Sequence, residues 1–178
     1  MRKGGSEEEI RLFEEVYERH FDSIYRYVLL RVGERADAED LVQEIFLKVL
    51  QALPSYKPKG LPISAWLFRI ARNHVIDFLR RKKREESKFT REEISEVSAL
   101  EDPLREAELR ADLKRVKEAL RDLTDLQREV IALRFGAGLS VAETAKAMGK
   151  TENAVKALQH SAISALRRRL RIEEEERE

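Results

Sequence analysis

A chain of 178 residues can hold one medium domain or two small ones, each with a modest core. It has no cysteine, which excludes disulfides and thiolate chemistry. It also has no apolar run of signal-peptide or membrane-spanning length, so a cytoplasmic protein without membrane insertion is expected. Charged residues reach 39% against the roughly 25% of average globular chains, yet the net charge is only +1, so any surface for a polyanion must come from local segregation of charge.

The first predicted element is a helix over residues 6–31. Ser6 and Glu9 have the spacing of a capping box, Ile10, Phe13, Val16, Tyr17, Phe21, Ile24 and Val28 trace an apolar stripe, and Gly33 stops the helix. A second helix runs from about Ala36 to Leu53, with Ala38, Leu41, Val42, Ile45, Phe46 and Val49 inward. Its outward face carries Asp37, Asp40, Gln43, Glu44, Leu47 and Gln51. Leu47 stands alone among polar neighbours. It is either an ordinary exposed leucine or the anchor of a protein interface with an acidic rim.

Residues 54–63 hold three of the four prolines and one glycine, so they form a loop, with Tyr56, Lys57 and Lys59 near its tip. The loop leads into SAWLFRIARNHVIDFLRRKKR, residues 64–84, where Ser64 can cap the first turn. Leu67, Ile70, Ala71, His74, Val75 and Phe78 fall on one side of this helix. Ala65, Arg69, Arg72, Asn73, Ile76, Arg80 and Lys83 fall on the other. Seven basic residues stand against the single acid Asp77. An apolar back and a cationic front suit a polyanion such as DNA, although a solvated basic face on a core helix has the same pattern. Trp66 is expected to pack inward.

Between Glu85 and Glu108 the character changes, with nine acids against three bases and few large apolar residues. This reads as a flexible acidic linker. Helical periodicity resumes with Leu109, Leu113, Val116, Ala119 and Leu120. Thr124 with Gln127, and then Ser140 with Glu143, have capping-box spacing, and FGAGL separates the two helices they start. Gly149 ends the short helix SVAETAKAMG and Thr151 caps a last long one. Two helices joined by a tight glycine turn, the second longer and polar at its start, make a helix-turn-helix, a motif that some bundles also contain. Its inward side is Val155, Leu158, Ala162 and Leu166. The tail EEEERE carries no globular pattern.

The order of these blocks resembles a known family. DAEDLVQEIFLKVLQAL, the proline-rich loop and AWLFRIARNHVIDFLRRKKR are similar to region 2 of bacterial sigma factors. LQREVIALRF with GLSVAETAKAMGKTENAVKALQHSAISALRR is similar to region 4. With two domains and a short linker, the chain resembles the extracytoplasmic-function, or group IV, class of the sigma-70 family. The resemblance implies an all-α fold of two small helical domains: a region 2 bundle over 1–84, an acidic linker over 85–108, a region 4 helix-turn-helix domain over 109–172 and an acidic tail over 173–178.

It also implies function: an alternative sigma factor that binds core RNA polymerase and directs promoter-specific initiation at −35 and −10 elements. Asp37, Asp40, Gln43, Glu44 and Leu47 would dock on the clamp helices of the beta-prime subunit. Lys57, Lys59, Arg69, Arg72, Asn73 and Arg80 would open and hold the −10 element. Thr151, Glu152, Asn153, Lys156, His160 and Arg167 would serve the −35 element, with the beta subunit flap, promoter DNA and an anti-sigma factor as further partners. Many relatives carry arginines where this chain has Ala157, Leu158, Gln159, His160 and Ser161, which points to a different promoter element. No catalytic residue, metal or cofactor is expected, because His20, His74 and His160 lie in separate helices and no phosphate-binding glycine loop occurs. The rival reading is a stand-alone helix-turn-helix regulator, which would need a dimer interface to span two half-sites.

Overall fold

The computed structural model describes residues 3–58, 60–86 and 118–175, with side chains for 7–58, 60–85 and 118–171. Every regular element among these residues is helical. The first half comprises α1 (Lys3–Val32), α2 (Arg35–Ala52) with a short 3-10 turn at Leu53–Ser55, and α3 (Ile63–Glu86). The second half comprises a helical stub at 118–121, α4 (Asp125–Ile131), a π-helical turn (Ala132–Gly136), α5 (Val141–Met148) and α6 (Glu152–Glu175).

Local chemistry explains the helix ends. Both capping boxes in the second half are present, with Thr124 Oγ1 accepting from the Gln127 N–H and Ser140 Oγ accepting from the Glu143 N–H. Gly149 adopts φ 63° beyond α5, a left-handed conformation that a side chain would make costly, and Thr151 Oγ1 accepts from the Ala154 N–H to start α6. Several extents differ from expectation. α1 begins at Lys3, so Ser6 lies inside the helix rather than capping it. α3 continues to Glu86 and α6 to Glu175, so the first two linker residues and part of the expected tail are helical. The rest of the expected linker, and most of the helix that follows it, lie outside the described residues.

The apolar stripe of α2 is wholly inward, with Ala38, Leu41, Val42, Ile45, Phe46 and Val49 all buried. α1 departs from its reading. Val16, Ile24 and Val28 are buried, but Ile10 and Tyr17 are exposed, and Tyr27, which the stripe omitted, is wholly buried. α3 departs too, since Ala65, assigned outward, and Phe68, on neither side, are both buried with Leu67, Ala71 and Val75.

The reason is that α3 has a second helical layer against it. One continuous core joins α1, α2 and α3 to Val130, Leu133, Leu139, Ala145, Met148 and Val155 of the second half. A smaller cluster of Leu123, Ile131 and Ala162, backed by Leu120, Ile163 and Leu166, holds α6 to α4. The two halves therefore share apolar packing across their boundary. Gly136 marks the close approach between them: a Cβ there would sit 2.6 Å from Leu30 Cδ1, and the Gly136 carbonyl accepts from Arg26 Nε at 3.0 Å.

Candidate functional site

α3 presents its cations along the helix, but not all to solvent. Arg69, itself exposed, donates through NH2 to the Lys146 carbonyl of α5 at 2.7 Å, while half-buried Arg72 has its Nε 3.8 Å from Glu129 Oε1 of α4, beyond hydrogen-bond distance. Asn73 and Arg80 are exposed, and Arg80 has only a loose 3.9 Å pairing with Asp77 one turn back. Lys57 is exposed on the preceding loop, whereas Lys59 lies outside the described residues. Tyr56, whose hydroxyl donates to the Leu61 carbonyl at 3.0 Å, packs its ring 4.9 Å from that of Trp66, so both aromatics shape the loop. Ser64 does not cap α3. Its hydroxyl donates to Glu143 Oε1 at 2.5 Å, across to the second half.

The outward face of α2 divides into two sets. Asp37 accepts from Lys82 Nζ at 2.7 Å, and Glu44 Oε2 lies 2.5 Å from His74 Nε2, so these two carboxylates hold α2 to α3. Asp40, Gln43 and Leu47 point to solvent, and Leu47 is 56% exposed. Beside it runs a shallow groove of about 290 Å³ lined by Phe13, Tyr17, Phe21, Phe46, Leu47 and Leu50. The rings of Tyr17 and Phe46, 4.7 Å apart, form part of its floor. Leu47 is thus the edge of an apolar patch and not a lone exposed leucine, a point hidden from the helical wheel of α2 because half the groove comes from α1.

On α6, Thr151, Glu152, Asn153, Lys156, His160 and Arg167 are all exposed, while Val155 and Ala162 are fully buried. The helix is held from beneath by Arg134, which donates through Nε to Gln159 Oε1 at 2.8 Å and through NH1 to the Leu139 carbonyl. Gln127 Nε2 donates to Ser161 Oγ at 2.8 Å. Arg134 and Gln127 are positioning residues that periodicity does not single out.

The largest omission from the sequence reading is Glu129, 2% exposed in the middle of the core. Tyr27 Oη donates to its Oε1 at 2.7 Å, and Arg31 NH2 lies 3.3 Å from its Oε2. Burial, and then the adjacent Glu129 charge, push the Tyr27 hydroxyl well above its usual 10, so it stays protonated as a donor. The one available signal was the acid itself, at an inward position beside Val130 in the stripe LQREVIALRF. Elsewhere along the same boundary, the Ser64 hydrogen bond holds the Glu143 carboxyl below its ordinary 4.5. Burial, and then Arg19, lower the neighbouring His20, against an opposing pull from Glu143.

No group of three or more His, Cys, Asp or Glu among the described residues could hold a metal, and no described helix is long and apolar enough to cross a membrane. What the arrangement offers is binding. It has cationic and polar helical faces on α3 and α6, and an apolar groove on α1 and α2.

The Sigma-70 region 2 family matches residues 16–85, and the Sigma-70, region 4 family matches residues 119–168. The chain is 38% identical over 159 residues to the ECF RNA polymerase sigma factor BldN of Streptomyces coelicolor, an alignment covering 89% of this chain and 60% of that protein. It is 36% identical over 149 residues to SigD of Mycobacterium tuberculosis, covering 81% of this chain and 70% of that one. Among solved structures, it is similar to CnrH in complex with the cytosolic domain of CnrY, with TM-score 0.69, 28% identity and coverage of 91% and 89%. It is also similar to the sigma factor RpoE in complex with the anti-sigma factor NepR from Bartonella quintana, with TM-score 0.72, 26% identity and coverage of 90% and 97%. With both regions matched in order and relatives aligned over most of its length, the chain belongs to the ECF class of sigma-70 RNA polymerase sigma factors.

Proposed function

We propose that this protein is an alternative sigma factor: it binds core RNA polymerase and directs initiation at promoters through −10 and −35 elements, acting in the cytoplasm by binding rather than by catalysis. The observation that carries this reading is the coexistence, in one family-matched chain, of two separate exposed polar helices and a separate apolar groove. One surface is suited to protein and two to nucleic acid.

In this reading Leu47, Gln43 and Asp40 meet the beta-prime clamp helices. Asp37 and Glu44, already engaged with Lys82 and His74, set the angle at which α2 is presented. Lys57, Lys59, Arg69, Arg72, Asn73 and Arg80 take the −10 strand. Asn153, Lys156 and His160, with Thr151 and Glu152 at the helix start, face bases at −35, and Arg167 farther along meets phosphate, as in a helix entering the major groove. The beta subunit flap would hold the second half. The domain division, 1–84 and 109–172 about an acidic 85–108 with the tail 173–178, belongs to the same proposal. An anti-sigma partner fits because both structural relatives are complexes: CnrH with the cytosolic domain of CnrY, and RpoE with the anti-sigma factor NepR.

The test is run-off transcription with purified core enzyme, with and without this protein, on genomic DNA from its source. Discrete new transcripts that depend on the protein support the proposal and reveal the promoter. Their absence, together with protection of a palindromic site by a dimer of the chain alone, would make it a stand-alone regulator instead.

A further inference from the structure

A second cleft is larger than the apolar groove and differs in kind. It encloses about 810 Å³ between the end of α1, α3, the helical stub and α4, within the ~300–1,000 Å³ typical of small-molecule sites. Its apolar surface comes from Leu30, Ile76, Leu79, Leu120 and Leu126. Leu30 and Leu126 are 37% and 41% exposed, so the fold leaves leucine uncovered inside the cleft.

Seven cations line this cleft against three carboxylates. Four of them are paired within the chain: Arg128 lies 2.8 Å from Asp125, Lys82 lies 2.7 Å from Asp37, and Arg31 and Arg72 share the buried Glu129. Arg80, Lys83 and Arg121 remain, all exposed. Arg80 has only its loose 3.9 Å pairing with Asp77, and Lys83 and Arg121 have no acidic partner among the described residues. The paired arginines are short of acceptors as well. Arg31, which is 8% exposed, and Arg72 and Arg128 each have a buried Nε without a hydrogen-bond partner. A buried donor without an acceptor is costly, and all three belong to the wall of this one cleft.

We propose that the cleft binds a nucleoside triphosphate or a related nucleoside polyphosphate, with the base on the leucine surface and the phosphates against Arg80, Lys83 and Arg121. The inference goes beyond promoter recognition and does not depend on it, although Arg72 and Arg80 belong to both surfaces. A single phosphate carries about two negative charges, fewer than the free cations, whereas a chain of phosphates carries more. Guanidinium groups hold phosphate oxygens through paired N–H donors, and a cleft lined mainly by one sign of charge concentrates such an anion. Inorganic polyphosphate would satisfy the cations but leave the leucines wet. The apolar surface therefore selects a ligand that carries a flat base beside its phosphates.

The test is calorimetric titration of the full chain at low salt, without divalent cations, using ATP, AMP and inorganic tripolyphosphate. ATP should bind about tenfold more tightly than tripolyphosphate, which lacks the base, and about tenfold more tightly than AMP, which lacks two phosphates. Arg121→Ala should weaken ATP binding about tenfold, with circular dichroism checking that the helices persist. Lys83→Ala should do the same, and decides the matter if Arg121→Ala loses helix content. Arg168→Ala removes an exposed cation of α6 that does not line the cleft, and should leave ATP affinity unchanged. ATP should also raise the thermal midpoint of the parent, and raise that of Arg121→Ala by less. Equal affinity for ATP and tripolyphosphate overturns the nucleoside assignment. Equal weakening by Arg121→Ala and Arg168→Ala, or neither heat nor thermal shift with ATP, overturns the site.

Discussion

Replacing Leu47 by alanine separates an interface role from a folding role. The change removes three carbons, worth about 2.4 kcal/mol if all were withdrawn from water at ~0.8 kcal/mol each. Leu47 is 56% exposed, so somewhat less than half of that value, about 1 kcal/mol, is already realised in the folded chain. The remainder, about 1.3 kcal/mol, is available only to a partner that covers the groove beside Phe46 and Tyr17, and corresponds to roughly tenfold in Kd.

The neighbouring Phe46 is the control. It is 3% exposed, so Phe46→Ala should cost about 3–5 kcal/mol of folding stability. The assays are chemical denaturation of each variant and titration of labelled protein with core RNA polymerase. Leu47→Ala should weaken polymerase binding about tenfold with a modest change in midpoint. A loss of stability approaching that of Phe46→Ala, with unchanged affinity for polymerase, would refute the assignment.

Two further outcomes follow from the geometry. Asn153→Ala should change which promoters are transcribed, because it lies exposed at the start of α6. Arg167→Ala should weaken all of them alike and flatten the salt dependence, so identical promoter profiles for the two would remove the distinction. Because the folded-state pKa of Glu143 is depressed, its contribution is complete above 4.5 and is lost as pH falls through its lower folded value. The contact between the halves should therefore loosen on acidification below that point. Ser64→Ala, which removes the main cause of the shift, should flatten the dependence in pH-resolved thermal melts. An unchanged profile in that variant would show that the Ser64 contact has no part in it.

The features legible in the sequence are those whose physics is local. The capping boxes Thr124 with Gln127 and Ser140 with Glu143 are hydrogen bonds across three residues, so spacing alone reveals them. The buried faces of α2 and α6 follow from helical period, since each packs through one stripe. That Asp40, Leu47, Asn153 and Lys156 stand outside is the complement of the same period. What period could not reveal was the partner of each face. Leu47 borders an aromatic groove only because α1 supplies Phe13, Tyr17 and Phe21 beside it. α3 looks cationic on one side and apolar on the other, but both sides are covered in places. A pattern that records polarity along one helix cannot say that a second half packs on it, burying Ala65 and Phe68. Tyr27 and Glu129 meet across 102 positions of sequence, with no motif to announce them. Composition and periodicity therefore determined the helices, their caps and their exposed faces. Only the tertiary structure decided that the halves close on one another, because a buried carboxylate is tolerable only where the folded chain brings Tyr27, Arg31 and Arg72 to meet its charge.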